Sequence, residues 1–106
     1  MLTRLRDECP DDAEVLGRSG FVKYAQGQHD AAESLFVRAT ALDPSRELWS
    51  VGLFHSLWKL NRSDEAFDEI RRFLRAYPDT LEYRRLIREM RKEFIEKGWM
   101  GEEESK

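Results

Sequence analysis

The sequence predicts an all-α solenoid of helical hairpins, with about five main helices and a short helix before them. Three observations carry this. Pro10, Pro44 and Pro78 are separated by one constant interval of 34 residues, a period typical of repeat arrays. The residues ahead of the prolines keep the same register: Ala32, Phe36 and Ala39 precede Pro44 as Ala66, Ile70 and Phe73 precede Pro78, and Leu2 and Leu5 precede Pro10 in the Phe36 and Ala39 slots. Helix start and stop signals then fall at matching points of each period, and no run alternates as a strand would.

Each element follows from those signals. Asp11 with Glu14 reads as a capping box opening a helix to about Gln26. Gly27-Gln28 makes the turn, and Asp30 with Glu33 caps a second helix to about Leu42. Pro44 stops it, because proline disfavours a helical residue before it. Ser45 or Arg46 opens the third helix, to about Leu60; Asn61-Arg62 turns; Ser63 caps the fourth, to about Ala76. Asp79 with Glu82 caps the last helix, which ends near Gly98. There Tyr83, Leu86, Ile87, Met90 and Phe94 form one apolar stripe, and Arg84, Arg88, Arg91 and Lys92 cover much of the rest. A helix with one apolar and one charged face suits the end of a solenoid. Residues 1–98 therefore read as one domain: a partial repeat at 1–11, repeats at 12–45 and 46–79, and a capping helix at 80–98. Residues 99–106, with Glu102, Glu103 and Glu104, read as an acidic flexible tail.

In the first repeat Leu16, Ser19, Gly20, Lys23 (with Tyr24 beside it), Gly27, Ala32, Phe36, Ala39 and Leu42-Asp43-Pro44 occupy the slots of a W-x-x-L-G-x-x-Y, A-x-x-x-F, P pattern. The second is looser: Leu53 fits, Trp49 comes one residue early, and Phe54 replaces a small Gly. The chain resembles the tetratricopeptide repeat family. The resemblance implies a TPR-like fold, and a concave groove lined by the first helix of each pair, holding a protein or peptide partner. It places in that groove Gly17, Val51 and Arg85; Arg18 and Gly52; and Phe21, His55 and Glu89, with Trp58 and Lys59 alongside. Gly17 and Gly52 would leave room for a ligand backbone, or Gly17 is simply a tolerated helix glycine. Slots that hold lysine and asparagine in the family's carboxylate-gripping members hold Gly17, Phe21 and Gly52 here, so that subclass is excluded. An apolar groove with Arg18, Lys59 and Arg85 at its rim suits an amphipathic helix or extended segment carrying acids.

Composition limits the alternatives. Charged residues make up 37% of 106, with a net charge of −3, and no apolar run is long enough to span a membrane. The N-terminus lacks the apolar stretch of a signal peptide, and Cys9 is the single cysteine, so the cytoplasm is expected. No cofactor, metal or catalytic activity is expected. His29 reads as an inter-helix contact, His55 has no ligand partners at metal spacing, and Gly17-Arg18-Ser19-Gly20 is mid-helix, not a nucleophile elbow. Cys9 lies among acids, which raise a thiol pKa. Two further readings stand beside the groove. One is self-association, as a homodimer or higher oligomer, through Leu2 and Leu5 at the open N-terminal edge. The other is anion or nucleic-acid binding by residues 71–92, where eight basic residues face three acids, a net +5. Trp99 reads either as an isolated aromatic or as a partner contact.

Overall fold

The structure is a computed structural model that describes residues 12–99. Six helices follow in order: α1 Ala13–Ala25, α2 His29–Leu42, α3 Glu47–Lys59, α4 Ser63–Ala76, α5 Leu81–Glu89 and α6 Arg91–Glu96. No strand occurs among the described residues. α1 packs with α2 and α3 with α4 as antiparallel hairpins, and α2 also packs on α3, so one core runs through the array.

Helix ends obey the 34-residue register. After α1 the amides of Gly27 and Gln28 donate to the carbonyls of Tyr24 and Lys23 (3.0 and 2.9 Å); after α3 those of Asn61 and Arg62 donate to Trp58 and Leu57 (3.1 and 2.9 Å). This pairing needs a left-handed residue at the turn, and Gly27 (φ 80°) and Asn61 (φ 62°) supply it one period apart. Gly98 (φ 83°) repeats the device after α6. α2 and α4 stop instead at the extended pre-proline residues Asp43 and Tyr77.

Helix starts depart from the expected caps. Asp12 caps α1, its carboxylate accepting from the amides of Glu14 (2.8 Å) and Val15 (3.4 Å); Asp11 lies outside the described residues. α2 begins at His29 and α4 at Ser63 itself, so Asp30 and Ser63 sit inside the first turn rather than capping it. Asp79 does not cap α5 but pairs with Arg84. α5 begins after Thr80, whose hydroxyl makes no cap bond, and the Tyr83 amide donates to the Glu47 carboxylate of α3 at 2.7 Å. A carboxylate at a helix N-terminus satisfies a free donor and opposes the positive dipole end. The start of α5 is therefore fixed by another helix.

Packing alternates large against small. Phe36 is fully buried between Gly20 and Gly52, where an added methyl would lie 2.9 and 2.5 Å from the Phe36 ring. One period later the corresponding slots hold Phe54, Ile70 and Leu86, all buried, so a smaller centre sits between larger flanks. Phe54 turns toward the end of the array, 6.5 Å from Tyr83 and 5.9 Å from Phe94. The expected single final helix is two, broken at Met90 (φ −104°, ψ 17°). The break brings Phe94 edge-on to Phe67 at 5.2 Å, and Trp99 stacks on Phe67 at 5.2 Å with its amide bonded to the Phe94 carbonyl. Trp99, grouped with the tail on sequence, thus packs on the core.

Candidate functional site

α3 and α5 lie side by side, and a cleft of about 240 Å³ opens between them. Val51 and His55, one turn apart on α3, form one wall; Glu82, Arg85 and Glu89 of α5 form the other, with Leu86 and Met90 deeper. The floor is apolar and the rim carries charges of both signs. Arg85 lies 3.8 Å from Glu82 and stays half exposed. His55 sits edge-on to Phe54 (5.3 Å) and faces Tyr24 at 6.3 Å. Burial, reinforced by the Lys59 ammonium, holds its imidazole below the usual histidine pKa. An imidazole held below its ordinary range is neutral at pH 7, so His55 adds no charge to the cleft there.

A buried polar chain positions α5 against α3. The Ser50 hydroxyl donates to the Glu69 carboxylate at 2.5 Å, which leaves the Tyr83 hydroxyl to donate to Ser50 at 2.7 Å. Arg72 donates twice to Glu69, at 2.9 and 2.6 Å. Ser50 and Tyr83 are fully buried, and desolvation drives the Tyr83 pKa far above that of a free tyrosine. With every member bonded, such a chain fixes one arrangement of three helices.

The sequence slots meet the cleft in part. Val51, His55, Arg85 and Glu89 come together there. Lys59 is exposed on the same helix and acts on His55 electrostatically. Gly17 and Gly52 do not open space for a ligand: the room beside Gly17 is filled by the Trp49 ring, and that beside Gly52 by Phe36. Phe21 is half-buried, 4.7 Å from Phe36 and 6.1 Å from Trp49, and so serves packing. Trp58 stacks on Phe54 at 5.7 Å and meets Phe67 and Phe94. Arg18 is 76% exposed and pairs with Glu14 at 2.6 Å, away from the cleft. Leu2 and Leu5 lie outside the described residues. Glu82 and Leu86 are not among the site residues read from sequence, although Leu86 follows the named slot Gly52 by one period. Met90 had no such signal, because its place depends on the helix break.

Within the basic segment, Arg71 pairs with Asp68, Arg72 with Glu69, Arg84 with Asp79 and Arg85 with Glu82, so local acids answer much of the charge. Among the described residues no group of histidine, cysteine or acidic side chains has metal-binding geometry, and no helix is long and apolar enough to cross a membrane.

The fold is that of a helical-repeat array, and the family comparison agrees. The Tetratricopeptide repeat family model matches residues 23–90, well over half of the chain, and the protein belongs to that family. No curated protein and no solved structure matches significantly. Repeats of this family generally mediate protein–protein interaction and are typically non-catalytic.

Proposed function

We propose that this protein is a non-catalytic adaptor that grips a short segment of a partner protein in the cleft between α3 and α5. The observation that carries this is the meeting of Val51, His55, Arg85 and Glu89 around an apolar floor, on the face formed by the first helices of successive repeats. The cleft accepts an apolar anchor side chain over Leu86 and Met90. Arg85 and Lys59 select an acid on one side of that anchor, and Glu89 a base on the other. Neutral His55 offers one donor and one acceptor to the partner's backbone. The cleft is too small for a whole helix to sink in, so an extended segment fits better.

The test is a charge reversal at two exposed positions, Arg85→Glu with Glu89→Arg. Partners captured from the source cell by the wild-type chain should fall at least about ten-fold with the variant, a change of about 1.4 kcal/mol. Helical circular dichroism and the unfolding midpoint should stay the same. Partners retained in full by the folded variant would refute the reading.

A further inference from the structure

A second groove lies on the other side of α3. α2 and α4 both pack on α3 but have little direct contact with each other, and a space of about 380 Å³ opens between them. Leu53 and Leu57, one turn apart on α3, form its floor, and Val37 of α2, 43% exposed, continues the apolar surface up one bank. Each floor residue is two positions past Val51 or His55, which is about 200° around the helix, so α3 separates this groove from the cleft. The charges along the groove are ordered. Glu33 on α2 and Glu65 on α4 stand on opposite banks at one end, joined through Arg62, which lies 3.7 Å from Glu33 and also pairs with Glu65. Asp30 reinforces that end, acting on Arg62 electrostatically. Asp68 follows one turn along α4, 73% exposed and paired with Arg71 at 2.7 Å. Arg72 closes the far end and is committed to Glu69, the carboxylate that also accepts from Ser50. Four acids thus meet three arginines, and the surplus negative charge lies at the end formed by Glu33, Glu65 and Asp68.

We infer that this groove is a second docking site, independent of the cleft, and that its occupant is a basic segment of a partner protein. One aliphatic side chain of that segment seats on Val37, Leu53 and Leu57, and a neighbouring lysine or arginine reaches Glu65 and Asp68. The stem of a long basic side chain lies well along an apolar floor while its head meets acids on the rim. Ion pairs as exposed as Arg62–Glu65 and Arg71–Asp68 contribute little, so a cation from outside shares those carboxylates at small cost. Charge also keeps the two sites apart. The cleft, with Arg85 and Lys59, favours an acid beside its anchor, whereas this groove favours a base. The two sides of α3 therefore take different partners.

The test pans displayed libraries of short random peptides on the full chain and measures the selected peptides by fluorescence anisotropy. The inference predicts selection of peptides with an aliphatic residue next to lysine or arginine. Glu65→Arg with Asp68→Arg should weaken their binding at least about ten-fold. Val37→Ser, on the opposite bank, should weaken it several-fold. Arg85→Glu with Glu89→Arg should leave it unchanged, which keeps this result apart from the fate of the cleft. All these substitutions fall at exposed positions, and helical circular dichroism checks that each variant folds. Selection of no basic peptide overturns the inference. So does binding that ignores Val37→Ser and vanishes at about 0.5 M salt, because that is charge attraction without the groove. Binding lost only with the cleft variant overturns it too. Concentration-dependent dimers that Glu65→Arg with Asp68→Arg abolishes would assign the groove to a second copy and overturn it as well.

Discussion

Gly17 shows how one hydrogen atom sets the spacing of two repeats. Any side chain there would collide with the Trp49 ring, which is 1% exposed and has nowhere to move. Gly17→Ala should therefore destabilise the fold by about 2 kcal/mol, the usual cost of overpacking, in a urea titration. Trp49→Leu in the same chain should remove most of that increment, since the two residues share one space; strictly additive effects would show that the clash is not the cause. The family resemblance placed Gly17 and Gly52 on the inner face, but it carried no information on which ring fills the gap beside them. His55 has a pH signature. Its imidazole is held below the ordinary 6.5 by burial and then by Lys59, with Arg85, Glu82 and Glu89 across the cleft and Tyr24 on the other side. Stability from this group is complete above pH 6.5 and is lost as pH falls toward the folded pKa, because the unfolded chain takes the proton first. Unfolding free energy should drop between about pH 7 and about pH 5 by more in the wild type than in His55→Gln, and equal drops would contradict the assignment.

At the level of elements, helix ends were readable and helix starts were not. The ends depend on local chemistry: Gly27, Asn61 and Gly98 at left-handed turns, and Pro44 and Pro78 after extended residues. The start of α5 depends on Glu47, 36 positions away from the amide it caps, and no local pattern reveals such a partner. The Ser50–Glu69–Tyr83 chain is likewise non-local, and it is what holds α5 to α3. Tyr83→Phe should cost about 1 kcal/mol at neutral pH, the worth of one buried hydrogen bond. It should also change the alkaline limb. The Tyr83 pKa is raised, so its contribution is intact below pH 10 and is lost as pH rises beyond that, when the unfolded chain releases the proton more easily. Tyr83→Phe should flatten that part of the stability curve, and an unaltered alkaline slope would count against the network. Trp99 anchors α6 through Phe67 and Phe94. Trp99→Ala should cost about 2 kcal/mol and raise amide exchange in α6, with α1 and α2 unaffected.

Across the whole molecule, the period of 34 residues carried the fold, because each repeat must bury the same slots against its neighbours. Together with the family resemblance it carried half of the cleft: Val51, His55, Arg85 and Glu89 stand on corresponding turns of successive first helices and meet where those helices run side by side. The rest depended on the exact path of the chain, in the break at Met90 that shapes the floor and in the Trp49 and Phe36 rings that closed the space beside the glycines. The central claim is that partners enter between α3 and α5. It is tested most directly by a photo-activated cross-linking residue placed in the source cell at position 85 in the cleft, or at exposed position 18 on α1. The account predicts a discrete adduct with a partner protein from position 85 and none from position 18. An adduct from position 18 alone, or equally from both, would contradict it.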